Sequence, residues 1–227
     1  MAELEPEEEP RGRRIPAGAI ALAGVAAAAG ALFFSRRRHT ARVSEHENAL
    51  RRLAEEIRGE LTPAQPGSPQ GPDFPSLAGT HRGRPVRVDT EVAGTPLNYQ
   101  CLTRTTAEHA APVAGFVIIR EETILTRMAD RLGLTDVQVG ESAFDDRFEV
   151  TSDLPDAVRL LQPEVRDALL AARFESCVIR QGEVTVRQVG PVVGTEPLRQ
   201  SLKLAVDIAE WLETWSAAPV GAEETAA

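Results

Sequence analysis

Residues 175–190 read ESCVIRQGEVTVRQVG, and this stretch decides the fold. Apolar and β-branched residues alternate with polar ones on both sides of a Gln181–Gly182 turn, the pattern of an antiparallel hairpin. A few residues on, Thr195 opens a segment whose Leu198, Leu202, Ala205, Ile208, Leu212 and Trp215 recur at helical spacing and form one apolar stripe. A hairpin followed by a long amphipathic helix points to a sheet packed by helices.

Working back toward the N-terminus, the same alternation returns. SLAGTHRG (76–83) and RPVRVDTEV (84–92) read as paired strands around a Gly83–Arg84–Pro85 turn. NYQCLTRTTAE (98–108) alternates, and GFVIIREE (115–122) is a short apolar run suited to a central strand. DVQVG (136–140) and RFEVTSD (147–153) read as further strands, with ILTRMADRLG (124–133) helical before them. Asp153 ahead of Pro155 and Asp156 is an N-cap signature for DAVRLL (156–161), followed after a break at Gln162–Pro163 by PEVRDALLAAR (163–173). The expectation is an α+β fold: an antiparallel sheet of six to eight strands packed by helices that include a long C-terminal one. A meander closed by such a helix is like the pleckstrin-homology-like barrels, an analogy of architecture that licenses no function.

Ahead of this domain, Ile15 to Phe34 reads IPAGAIALAGVAAAAGALFF, twenty residues without a polar side chain. As a helix it spans about 30 Å, the thickness of a bilayer's hydrocarbon core. Its seven strongly apolar residues give on the order of −3 kcal/mol for insertion. The rival assignments fit less well. A buried core helix has no reason to be bracketed by RGRR and SRRRH, and signal cleavage near Ala27–Ala31 would leave Phe33–Phe34 and three arginines at the new N-terminus. Arg36, Arg37, Arg38, Arg42, Arg51 and Arg52 follow the segment, against three arginines before it. The positive-inside rule then places a single-pass protein in the inner membrane with its C-terminal domain in the cytoplasm.

The expected organisation is therefore an acidic unstructured tail (1–14), a transmembrane helix (15–34), a juxtamembrane helix (35–62), a Pro-rich linker (63–75), a soluble domain (76–215) and an unstructured tail (216–227). Within 35–62, Val43, His46, Leu50, Leu53 and Ile57 form an a/d seam of barely two heptads, which reads either as a short coiled coil or as a solvated helix. Prolines at 63, 66, 69, 72 and 75 match the polyproline II turn and give a spacer of about 40 Å. Small-xxx-small pairs at Ala17/Ala21, Gly24/Ala28, Ala26/Gly30 and Ala27/Ala31 would suit a homodimer through the membrane helix and the seam after it.

Charge narrows the function classes. The chain carries a formal net charge of −9, and its 25 basic residues are all arginine except Lys203. Residues 76–215 hold 21 acidic against 15 basic residues, which disfavours nucleic-acid binding. The arginine bias follows a GC-rich coding sequence, so single arginines carry little weight. Cys101 and Cys177 make neither a disulfide framework nor a zinc-ligand spacing, and fit reduced thiols in a reducing compartment.

Phe144, Asp145, Phe148, Val150, Ser152 and Asp153, followed by Leu160, Leu161 and Pro163, form a Phe-Asp, Phe-x-Val-x-Ser-Asp and leucine-rich series. This series resembles a family of uncharacterised, membrane-anchored bacterial proteins. The resemblance implies a membrane-attached domain and no particular chemistry.

There is no Gly-rich phosphate loop and no nucleophile elbow, and His39, His46, His81 and His109 lack metal-ligand spacing. Asp145, Asp146, Glu149 and Asp153 cluster in sequence, as expected of a solvated strand entry. No catalytic residue, metal site or cofactor is expected. The local basic patch His81, Arg82, Arg84 and Arg87 is a candidate for contact with lipid phosphates if the hairpin lies near an anionic leaflet. Three classes stay open: a binding or interaction module at the inner membrane with an unknown protein partner, a subunit of a membrane complex docked through its transmembrane helix, and an enzyme whose site assembles from distant residues.

Overall fold

The computed structural model describes residues 41–64, 74–95, 98–121, 137–154 and 157–217. Eight strands form one antiparallel sheet: β1 (Glu60–Thr62), β2 (Ser76–His81), β3 (Arg84–Thr95), β4 (Asn98–Glu108), β5 (Phe116–Glu121), β6 (Phe148–Ser152), β7 (Ser176–Arg180) and β8 (Glu183–Val189). Helices α1 (41–57), α2 (Ser142–Asp145), α3 (Ala157–Leu160), α4 (Pro163–Ala171) and α5 (Thr195–Ala217) accompany them. The strand order is β1-β2-β3-β4-β8-β7-β5-β6. The α+β class, the antiparallel pairing and the long C-terminal helix stand as expected.

The meander holds through β4 and then stops. β8 lies beside β4, so the β7–β8 hairpin separates β4 from β5. The pleckstrin-homology-like barrel is not the architecture, because the sheet is an open row ending at β1 and β6. Hairpin geometry explains the first tight turn. Arg82 and Gly83 both have positive φ (50° and 80°), as a two-residue turn matched to strand twist requires, so the turn lies one residue earlier than expected. The strand expected at 136–140 does not form among its described residues. Val137 N–H donates to the Val150 carbonyl at 2.9 Å, and the N–H groups of Val139 and Gly140 turn to the Asp145 carboxylate. The helix expected at 124–133, the membrane segment 15–34 and most of the Pro-rich linker lie outside the described residues. Among the described residues, no helix is long and apolar enough to cross a membrane.

Alternation sorts the sheet's two faces. Val86 and Val88 on β3, Thr103, Thr105 and Ala107 on β4, and Val184 and Val186 on β8 share the face that the helices cover. Cys177 and Ile179 on β7 and Val117 and Ile119 on β5 continue it. Leu198, Leu202, Ala205, Ile208 and Leu212 of α5 are buried, and α5 lies against β4 and β8. Burying each large side chain contributes roughly 1.5–3 kcal/mol. Trp215 departs from the expected stripe: it is exposed and stacks on Trp211 with ring centroids 6.2 Å apart.

The largest correction concerns α1. Leu50, Leu53 and Ile57 are buried in the same core as the sheet, and β1, three residues beyond the helix, pairs with β2. The seam is therefore the packing face of a core helix, which leaves no apolar stripe for a coiled-coil partner. The folded unit runs from Arg42, and residues 42–62 belong to it rather than to a stalk. Arg58, with φ of 51°, ends α1, and the Gly59 N–H reaches back to the Ala54 carbonyl at 2.8 Å in a helix-terminating hydrogen bond. His46 comes with the helix into the core, where its Nδ1 lies 2.9 Å from the Val192 carbonyl. Burial pushes its pKa down, so the ring is held neutral.

The opposite face of the sheet is polar. Arg104 binds Asp89 through two hydrogen bonds of 2.8 and 2.9 Å, and Arg87 adds an ion pair at 2.8 Å. Asp89 is nearly buried, so both guanidinium groups serve to compensate one carboxylate taken out of water.

Candidate functional site: an arginine-lined groove at one end of the sheet

Strand register brings the last residues of β5, the first of β7 and the last of β8 to one level. Arg120 pairs with Ser176, Ser176 with Arg187, and Gln188 with Thr103 of β4. At that level a groove of about 750 Å³ opens, lined by Arg120, Glu121, Arg147, Arg173, Phe174, Glu175, Gln188 and Val189.

Phe174, its aromatic lining residue, rests on a buried aromatic cluster. Phe148 stacks on Phe174 with centroids 5.3 Å apart, Phe144 meets Phe148 at 5.0 Å, and the Arg147 guanidinium lies 4.8 Å from the Phe148 centroid. Arg147 is fully engaged. It donates to the carbonyls of Leu170 and Ala172 at the C-terminal end of α4, where a cation suits the helix dipole, and it pairs with Glu121 at 2.9 Å. Glu175 accepts the Ser176 hydroxyl at 2.7 Å. Arg120 and Arg173 are exposed, with no carboxylate in ion-pair reach among the described residues. The groove thus offers two free guanidinium groups beside the Phe174 ring. Chemically it can hold an anion. It contains no nucleophile–base pair.

The residues singled out from sequence lie elsewhere, and the three arginines among them are paired with carboxylates. Arg82 donates to Asp207 at 2.7 Å and to Glu210 at 3.4 Å, both on α5. Arg84 makes a two-pronged pair with Glu213 at 2.6 and 2.7 Å, and Arg87 pairs with Asp89. His81 is half-buried at the end of β2. The β2–β3 turn therefore clamps α5 to the sheet, and a lipid phosphate there would have to displace carboxylates already in place. The Asp145–Asp153 cluster is dispersed as well. Asp145 accepts two backbone N–H groups, and Asp153 accepts the Phe116 N–H at 2.6 Å at the start of β5. Among the described residues, no group of three or more His, Cys, Asp or Glu could hold a metal. Burial pushes the Cys177 thiol up to about 12, and it raises Cys101 as well.

Sequence reasoning missed Arg120, Arg147 and Arg173. Each is one arginine among many, and only the pairing of β5 with β6 on one side and β7 on the other brings them together.

One solved structure shares the fold: the crystal structure of the mycobacterial trehalose monomycolate transport factor A, TtfA. It superposes with a TM-score of 0.52 at 12% identity, over 74% of this chain and 94% of that one. At that identity the likeness is one of fold alone. No protein-family model matches the chain, and no curated protein matches its sequence.

Proposed function

We propose that this chain is a single-pass inner-membrane protein whose folded domain, on the cytoplasmic side, serves as a binding module rather than an enzyme. The observation that carries the reading is the twenty-residue uncharged segment 15–34 with arginines crowding its C-terminal side, seven residues ahead of a helix built into the domain core. A tether that short holds the domain close to the bilayer. Its one groove with free cationic groups, among the described residues, suits recognition of an anionic partner. The fold shared with a protein described as a transport factor supports an accessory role in membrane-linked transport. Because the α1 seam is used in the core, the homodimer expected from the sequence keeps only segment 15–34 of its two proposed contacts.

Two measurements test this. Alkaline carbonate should leave the full chain in the membrane pellet, and a reporter fused after Ala227 should be active in the cytoplasm. Extraction into the soluble fraction, or robust periplasmic activity of a phosphatase fusion, would overturn the reading.

A further inference from the structure

We infer that the end of the domain bearing the groove is seated on an anionic lipid surface, with Val92, Val189 and Val193 in apolar contact and Arg120 and Arg173 on lipid phosphates. The inference rests on the membrane-anchored reading above and adds which face the domain turns to the bilayer.

Four observations converge on that end. First, β3 and β4 outrun the rest of the sheet: β8 pairs with β4 only from Thr103 onward, so Val92–Thr95 and Asn98–Cys101 pair with each other as a two-stranded arm. Second, two segments at this end are uncharged. Residues 92–103 (VAGTPLNYQCLT) and 188–194 (QVGPVVG) hold no charged residue, in a chain of which 26% is charged. Third, exposed large apolar residues gather there. Val92 is 40% exposed, Val189 64% and Val193 47%, three of the five such residues described.

Fourth, α1 begins there. His46 meets Val192, and Val192 N–H donates to the Thr103 hydroxyl, whereas the far end of α1 crosses β2 at Leu77 and Gly79, whose register partners lead to Thr105 and Ala107. Traced backward, α1 heads for the level of the arm. In sequence, α1 follows the uncharged segment 15–34 and then Arg36, Arg37 and Arg38. Charge fits as well: among the described residues Arg120 and Arg173 have no carboxylate partner, whereas Glu121 is paired with Arg147, Glu175 with Ser176, and Glu91 lies near Arg104 and Arg187. Exposed apolar side chains with arginines at the same end are what an anionic bilayer interface takes up.

The full chain, reconstituted into vesicles of phosphatidylglycerol and phosphatidylcholine, tests this with a bimane fluorophore on Val189→Cys, Val193→Cys or Val92→Cys in a Cys101→Ser background. Cys177 is fully buried and can stay. A label on Gln181→Cys, exposed in the turn at the opposite end, is the control. At the three valine positions, a lipid-borne spin quencher should dim emission at least twofold and iodide quenching should fall at least threefold relative to Gln181→Cys. Arg120→Glu with Arg173→Glu should restore iodide access. If the chain floats with the vesicles but all four positions quench alike, the seating is wrong and the anchor stands. Failure to float would sink both. Iodide shielding without lipid quenching would mean contact between copies and would overturn the proposal. Shielding that persists in pure phosphatidylcholine and survives the charge reversal would remove the arginines' part in it.

Discussion

Gly59 and Gly79 touch where α1 ends over β2: a Cβ on Gly79 would lie 2.9 Å from the Gly59 Cα. A Cβ on Gly59 would in turn meet Leu77 at 2.8 Å and the Ala78 carbonyl at 2.9 Å. Backbone meets backbone at this crossing, and it is what lets α1 lie down on the sheet. Gly79→Val should lever the helix away and cost about 1–3 kcal/mol by overpacking. Chemical denaturation of the variant checks this, and an unchanged midpoint would show that α1 can shift without cost.

The domain boundary follows from the same contact. Leu50 and Leu53 are fully buried, so a chain starting at Ser76 would expose their core sites and strip β1 from β2. Such a truncation should lose cooperative melting, whereas a chain starting near Thr40 should keep it. Leu53→Ala should cost about 2–5 kcal/mol in the longer form. A sharp thermal transition from the Ser76 form would return α1 to the status of a stalk.

His46 links folding to pH. Burial lowers its folded pKa below the unfolded value of about 6.5, so the unfolded chain binds the extra proton. The stability due to a neutral His46 is complete above about pH 6.5 and is lost as pH falls below it. Urea midpoints between pH 7 and 5 should decline for the wild type and decline less for His46→Gln. Parallel curves would show that the ring does not titrate with unfolding.

A second, lower window belongs to Glu213. Arg84 and the Ala110 N–H hold its carboxyl down to about 2 from 4.5. Its contribution is present above about pH 4.5 and is lost as pH drops toward 2. Glu213→Gln should cost about 1 kcal/mol at pH 7, since the pair is only partly shielded from water, and should flatten the acid limb below pH 4.5. Equal acid limbs in the two proteins would assign that loss to other carboxylates.

The two thiols should differ in reactivity. Cys177 is fully buried with its pKa near 12, while Cys101 is partly exposed. Under native conditions a maleimide should modify Cys101 alone, and Cys177 should react only at the rate of unfolding. Mass spectrometry after timed labelling reads this directly, and rapid double labelling would mean that the β7 region opens.

What the sequence determined by itself is local. The period of two in ESCVIRQ and VTVRQVG, with Gly182 available at a φ of 81°, specifies a hairpin whatever surrounds it. The spacing of Leu198, Leu202 and Leu212 likewise specifies a helix with one buried side. The uncharged run 15–34 is the ground for the membrane segment proposed above, because transfer into a bilayer is governed chiefly by local composition. Partner choice is another matter. Val43 to Ile57 spells an apolar stripe, and a stripe packs equally well on a second helix or on a sheet. Only the glycine gap at Gly59 and Gly79 and the short β1 decide for the sheet. Nor does alternation reveal strand order: β4 takes β8 as neighbour because the β7–β8 hairpin and α5 share one buried face, a choice made by non-local burial. The candidate groove depends on that order, since Arg120, Arg147 and Arg173 meet only once β5, β6 and β7 lie side by side. The arginines at 82, 84 and 87 looked free in the sequence because their carboxylate partners include Asp207, Glu210 and Glu213, more than a hundred residues away, which tertiary packing alone delivers.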